Sequence, residues 1–381
     1  MTFIGLTWDH PRGYDALAET ARRANEARPE PLIRWNKQPL EGFESAPIAE
    51  LAERNDLLVM DHPHIGEAVV EGCFLPLEEL YPKDMLQTWR RDSVGPSAAS
   101  YHWDGRTWAL PLDVATQVMA RRADRIATPP GSWEEIVAEA KRLPVALSLA
   151  GPHAVLTLMS MVAGAGGEVA GDDFLPEADA RSALETMHRL YALRPAGSEK
   201  LNPIALLETM ALSDDIALVP LVFGYVTYAS PRHGGRVVSF SDTIRTAEGK
   251  GGVIGGTGIA FSRRCRPTPE LLAHIASLLS TRTQIETFPA FGGQPSARAA
   301  WQDAGVNRMW GDFYRNTLAT AEMALLRPRF DGYIAFQTAA AECVRIALER
   351  REEPETTIAT LRTFWRRARQ QARGHLEETR G

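Results

Sequence analysis

Phe3-Ile4-Gly5-Leu6-Thr7-Trp8-Asp9-His10-Pro11 is the stretch on which the fold turns. Six mainly apolar residues end at a carboxylate, an imidazole and a proline, so a strand runs over Phe3–Trp8 and stops at a rigid turn. Behind that turn Tyr14, Leu17, Ala18, Ala21 and Ala24 recur at helical spacing. Two further strands, Pro31–Trp35 and Asp56–Met60, enclose a helix. That helix starts at Ser45-Ala46-Pro47, a cap-type residue with an early proline, and runs to about Arg54. Strand–helix–strand order at this spacing gives right-handed βαβ units and a parallel sheet.

Working outward, strands are expected at Trp108–Leu112, Ala115–Arg121, Val145–Leu149, Ile216–Phe223, Arg236–Phe240 and Gly258–Phe261. A helix over Trp133–Arg142 follows Ser132, a suitable N-cap. Beyond about Pro267 the pattern is mostly helical. The last helix, from about Pro354 to Leu376, places Ile358, Leu361, Trp365, Ala368 and Ala372 on a buried face.

At 381 residues the chain exceeds one ordinary core, and two domains are expected. With 44% hydrophobic and 24% charged residues it is neither disordered, collagenous nor a disulfide scaffold. A net charge of −6 argues against a nucleic-acid-binding surface, and the basic residues are mainly Arg, only five being Lys. Cys73, Cys265 and Cys343 are odd in number and far apart, which fits neither a disulfide framework nor a cysteine metal site. No apolar run approaches the ~18 residues of a membrane helix, so no membrane insertion is expected.

The residues that could carry chemistry cluster in a motif that occurs twice. Trp8-Asp9-His10-Pro11 and Met60-Asp61-His62-Pro63-His64 each follow a predicted parallel strand. Ligands of open α/β sheets sit beyond the carboxyl ends of the strands. As a metal site, Asp61, His62, His64 and His10 could supply ligands, but no zinc spacing such as H-E-x-x-H is present and none is assigned. As acid–base chemistry, Asp9, His10, Asp61 and His62 form two carboxylate–imidazole pairs suited to a lyase, dehydratase or isomerase step. No G-x-S-x-G elbow is present, so covalent hydrolysis is not expected. As ligand recognition, Trp8, Asp9, His10, Arg12, Arg34, Asn36, Asp61, His62, His64, Asp113, Phe223, Tyr225 and Trp310 lie on predicted strand ends or crossings. Polar groups of this kind pair with hydroxyls, and aromatic faces cover sugar C–H surfaces. Gly164-Ala165-Gly166-Gly167 and Gly249-Lys250-Gly251-Gly252 miss the spacing of nucleotide loops and read as turns. Arg366-Arg367-Ala368-Arg369 reads as a solvated helix face. No cofactor is expected.

Several segments, in order, carry a resemblance. Trp103-Asp104-Gly105-Arg106-Thr107-Trp108-Ala109-Leu110-Pro111-Leu112-Asp113 resembles the "W-x-G-K-x-Y-A-L-P" segment of extracellular solute-binding protein family 1, the sugar-type binding proteins of ABC importers. Pro130-Gly131-Ser132-Trp133-Glu134-Glu135 is similar to its "P-x-T-W-D-E" helix start. Gly255-Gly256-Thr257-Gly258-Ile259-Ala260-Phe261-Ser262 resembles its returning strand, and Gly292-Gly293-Gln294-Pro295-Ser296 its late "G-x-x-P" loop. Arg327-Pro328-Arg329-Phe330-Asp331-Gly332-Tyr333 resembles the start of its C-terminal part. The resemblance implies an α/β, two-lobed, periplasmic-binding-protein-like (type II) fold with a ligand cleft between lobes. Lobe one would be 1–110 plus 255–305, and lobe two 111–254 plus 306–381.

Two functions follow as expectations. The first is binding of a small polar solute (a sugar, sugar acid or hydroxy acid) by a monomer, with an ABC permease as partner if the protein is exported. The second is an acid–base enzyme on the same fold. Met1 leads directly into the first strand, so the chain as numbered is expected in the cytoplasm, or in the periplasm if a signal was removed.

Overall fold

The computed structural model describes residues 2–26, 28–40, 42, 46–231 and 234–380. The chain begins with β1 (Phe3–Trp8), α1 (Pro11–Asn25), β2 (Ile33–Gln38), α2 (Ile48–Arg54), β3 (Leu57–Met60), α3 (Ile65–Val70) and α4 (Lys83–Asp92). Then come a small hairpin, β4 (His102–Trp103) with β5 (Arg106–Thr107), and the long strand β6 (Leu110–Arg121). Next are α5 (Trp133–Ala140), α6 (His153–Gly164), α7 (Glu177–Leu193), α8 (Pro203–Leu212), β7 (Leu218–Phe223), β8 (Ser239–Ser241) and β9 (Ile254–Phe261). The rest is helical: α9 (Pro269–Leu278), α10 (Arg298–Gln302), α11 (Ala304–Met309), α12 (Phe313–Glu322), α13 (Tyr333–Arg350) and α14 (Pro354–Arg380).

The chain divides into two units. Unit 1 is Met1–Val114, Gly255–Val306 and Arg329–Asp331; unit 2 is Ala115–Ile254, Asn307–Pro328 and Gly332–Gly381. The first boundary falls inside β6, after Val114 and not after Leu110, because the expected strands Trp108–Leu112 and Ala115–Arg121 are one continuous strand. Arg329–Asp331 belongs to unit 1. There the Arg329 guanidinium donates to the carbonyls of Ala99, Ser100 and His102 at 2.6, 3.2 and 3.0 Å and lies over the Trp103 ring.

In unit 1, β1 pairs parallel with β2 (Phe3 with Ile33 through Trp8 with Gln38) and with β3 (Gly5 with Leu57, Leu6 with Leu58). β3 pairs antiparallel with β9. All four residues of β3 are buried, as in a sheet covered on both faces. Strand alternation sends Leu57 and Val59 into a cluster with Phe3, Leu17, Ile33 and Trp35, and Leu58 and Met60 into another with Ile48, Ile65 and Phe74. β2 extends beyond Trp35 into polar Asn36-Lys37-Gln38, since among the described residues it has a strand partner on one side only and Asn36 and Lys37 face solvent. Ser45, the expected helix cap, lies outside the described residues.

His274 on α9 is buried with its Nε2 lacking a hydrogen-bond partner among the described residues. Burial, helped by the positive charge of Arg28, pushes its imidazole down to about 4. The unfolded chain, with an ordinary value near 6.5, therefore takes up the proton first as pH falls. Stability is full at neutral pH, declines from about pH 6.5 downwards and reaches its floor below about pH 4. Urea unfolding at pH 7 and pH 4.5 should show unit 1 losing about 2–3 kcal/mol to this group. His274→Leu should flatten the dependence over that window; an unchanged slope would remove His274 as its source.

In unit 2 the second half of β6 pairs antiparallel with β7 and β8. Gln117, fully buried, is satisfied by α6: its Oε1 accepts from Ser160 Oγ at 2.6 Å and its Nε2 donates to Thr157 at 3.4 Å. Every residue of α6 is buried, which explains its lack of a polar face. Val145–Leu149 is not a strand. It makes one parallel bridge, Val145 with Leu218, and then turns away as a buried apolar segment. The Arg236–Phe240 strand is displaced to Ser239–Ser241. Ser132 caps α5 by accepting from the Glu135 amide at 3.2 Å, and α14 buries Ile358, Leu361, Trp365, Ala368 and Ala372. The glycine clusters are packing devices: a Cβ on Gly249 would lie 2.0 Å from the Gly164 carbonyl. Arg366 pairs with Asp173, and Arg369 lies over Trp365.

Candidate functional site

The parallel pairing of β1 and β3 brings both Asp-His-Pro turns to the same edge of the unit 1 sheet. The turns are not equivalent. In the second, Asp61 Oδ1 lies 3.0 Å from His62 Nδ1 and also accepts the His62 backbone amide at 2.9 Å. His62 is 1% exposed and sets its ring edge-on to Tyr101, whose hydroxyl donates to the Met60 carbonyl at 3.2 Å. His64 is also buried, at the end of the single turn His62–His64. In the first turn, Asp9 is exposed and forms an ion pair with Lys37 of β2 at 2.6 Å. Lys37 lies over the Tyr14 ring. His10 instead caps α1, its Nδ1 accepting from the Arg12 amide at 3.1 Å, so Nε2 carries the ring proton. Of the two expected carboxylate–imidazole pairs, Asp61–His62 forms, whereas Asp9 pairs with Lys37.

Arg12 reaches Asp113. Its Nε donates to Asp113 Oδ2 at 3.0 Å, its Nη2 pairs with Oδ1, and the side chains are 4% and 3% exposed. Asp113 Oδ2 also accepts the Gln294 amide at 3.1 Å, while the Gln294 side chain donates to the Val114 carbonyl. The planar guanidinium suits this two-pronged contact, and its face lies 5.9 Å from the Trp8 ring centre. Trp8, His10, Arg12 and Asp113 thus form one connected group at the end of β1, with Asp61–His62 at the end of the adjacent β3.

Arg34 and Asn36 do not join it. They sit opposite Ile4 and Leu6 in the parallel register, four and two residues short of Trp8, and are exposed. At ~3.3 Å per residue, Arg34 is about 13 Å below the rim. In unit 2, Phe223 ends β7 and sets its ring edge-on to His153 at 5.7 Å. Tyr225 is buried before the single turn Val226–Ala229, and Trp310 is 4% exposed after α11. Gln294 and Tyr101 were missed as site residues. Gln294 lies in the Gly-Gly-Gln-Pro-Ser segment, whose pattern marks a loop without showing which backbone group faces a carboxylate. Among the described residues, no three His, Cys, Asp or Glu side chains are placed to hold a metal ion.

Gly13, in the first turn of α1, lets Trp8 lie flat against the helix: a Cβ there would be 2.4 Å from the indole. Gly13→Ala gains about 1 kcal/mol of helix propensity but forces a buried ring aside, at about 1–3 kcal/mol. Packing should win, and urea unfolding should show a net loss of stability. Unaltered stability would mean that Trp8 has room to move.

Residues 40–195 match the sequence profile of a family described as bacterial extracellular solute-binding protein. Solved structures of similar fold include an ABC transporter solute-binding protein from Agrobacterium radiobacter K84 in complex with ribitol, with a TM-score of 0.79, 19% identity, and 96% of this chain and 98% of that one covered. Maltose-bound MalE3 of T. maritima gives 0.77 and 16%, again over 96% and 98%. A solute-binding protein from Agrobacterium vitis S4 with bound D-mannitol gives 0.74 and 15%, over 97% and 99%. The fold is therefore that of the two-lobed periplasmic-binding-protein-type proteins, as the resemblance implied.

Proposed function

We propose that this chain is the receptor of an ABC importer for a small neutral polyol or sugar. The observation that carries the reading is the group at the carboxyl ends of β1 and β3: the half-buried His10 imidazole and Asp61 carboxylate beside a buried Arg12–Asp113 pair. Arg12 is matched in charge by Asp113, so an anionic ligand gains little there, and hydroxyls are the better partners. That the similar structures hold ribitol, maltose and D-mannitol supports this choice over sugar acids and hydroxy acids. The reading entails a permease as partner, an address outside the cytoplasm and a monomeric receptor.

The test is calorimetry and thermal unfolding with ribitol, D-mannitol, maltose and the corresponding sugar acids. A neutral compound should bind and raise Tm in proportion to the logarithm of its concentration. Stabilisation by the acids alone would overturn the choice of ligand class. The Asp61–His62 pair is the one observation favouring the acid–base reading. Incubating the bound compound in D₂O and following it by NMR separates the two: a receptor returns it unchanged and undeuterated.

A further inference from the structure

None of the ten residues of α4 is buried, yet the helix is strongly two-faced. Lys83, Leu86, Gln87 and Arg90 fall at i, i+3, i+4 and i+7, one stripe of a helix, with Trp89 beside them. This stripe, with Trp89, forms one wall of a cavity of about 470 Å³ within unit 1. The floor is apolar: Tyr81, Ala98, Leu110 and Pro111. Tyr81 and Trp89 meet edge-to-face at 5.2 Å, and the hydroxyl of Tyr81 is committed to the Leu272 carbonyl. The β4–β5 hairpin also lines the cavity, through His102, Gly105 and Thr107, and its Asp104-Gly105 turn has both residues at positive φ (49° and 75°), as a tight hairpin requires.

Glu78, the acid that lines this cavity, and its neighbour Glu79 are engaged. Glu78 accepts the Thr107 amide with both oxygens, at 2.8 and 3.2 Å, and Glu79 pairs with Arg106 at 2.9 Å. Lys83 and Arg90 have no ion-pair partner among the described residues and sit at the two ends of this stripe, on either side of Leu86 and Gln87. An aromatic-lined pocket flanked by two uncommitted cations complements one kind of small molecule, a flat apolar body bearing a single negative group. We propose that this cavity is a second ligand site, separate from the β1–β3 rim, which takes an amphipathic aromatic carboxylate.

The probe is naphthalene-2-carboxylate, with the neutral naphthalene-2-carboxamide as its isostere, titrated into the full chain by calorimetry with and without saturating polyol. The carboxylate should bind, the carboxamide should bind roughly tenfold more weakly, and the polyol should change neither. Lys83→Glu with Arg90→Glu, both on exposed positions that leave the fold intact, should weaken the carboxylate by more than tenfold and leave the carboxamide unaffected. Trp89→Ala should weaken both probes. Absence of binding at millimolar concentration, equal affinity for the two probes, or an undiminished carboxylate affinity in the charge-reversed protein would each overturn the proposal. Displacement of the probe by the polyol would overturn its separateness from the rim.

Discussion

Arg12→Ala should destabilise unit 1 by about 3–5 kcal/mol, because it leaves the Asp113 carboxylate buried with its charge uncompensated. The two side chains are 4% and 3% exposed, and they join the first turn of α1 to β6 across 101 residues of sequence. Asp113→Ala should cost as much, since it strands the guanidinium and also removes the acceptor of the Gln294 amide. The double substitution Arg12→Met with Asp113→Leu removes both charges and keeps apolar volume, so it should be much less harmful than either single change. Arg12→Lys should behave more like alanine than like arginine, as an ammonium cannot make the two-pronged contact. Urea unfolding of the four variants measures these costs. A cost under about 1 kcal/mol for Arg12→Ala would show that water reaches the pair and that it behaves as a surface ion pair. Ligand affinity should follow a different order. The double variant, although stable, should bind polyol poorly if Arg12 and Asp113 also orient hydroxyls, and normally if the pair only holds α1 to β6.

The sequence made the strand β1, the first βαβ unit and the common edge of the two Asp-His-Pro turns legible, because parallel strands covered on both faces leave a strong apolar signal. Arg12 and Asp113 were each legible as candidates. Their pairing was not, since no local pattern encodes a partner 101 residues away. The two motifs look identical as text and differ in their neighbours. β1 lies beside β2, whose Lys37 stands opposite Thr7 and captures Asp9. β3 lies between β1 and β9, which present no such cation, and Asp61 turns to its own histidine. Arg34 and Asn36 were placed at a strand end because the strand was expected to stop at Trp35. The polar residues that continue β2 to Gln38 carry no apolar signal on an edge strand. Val145–Leu149 shows the opposite error: its apolar run reports burial, which a strand and a buried connecting segment satisfy equally.

Gly66→Ala should damage unit 1 through a backbone clash. On helix propensity alone it should help, by about 1 kcal/mol, since Gly66 lies within α3. Packing opposes this. A Cβ on Gly66 would stand 1.8 Å from the Arg329 carbonyl oxygen, 2.5 Å from the Phe330 carbonyl carbon and 2.6 Å from the Asp331 nitrogen. These are backbone atoms, so no rotamer change relieves the contact; either α3 or the segment Arg329–Asp331 must move. That segment is anchored, its guanidinium bonded to three carbonyls of residues 99–102 and stacked on Trp103. α3 is anchored too, through Ile65 and Ala68 in the core, directly after the turn that carries Asp61 and His62. The net loss should be at least about 2–3 kcal/mol after the propensity gain. Combining Gly66→Ala with Arg329→Ala, which frees the segment to withdraw, should recover part of it. The strain should also reach the rim through the Asp61–His62 turn, so polyol affinity should fall in the single variant and partly return in the double one. A Gly66→Ala protein more stable than the parent, as propensity alone requires, would show that Arg329–Asp331 does not pass against α3 in solution.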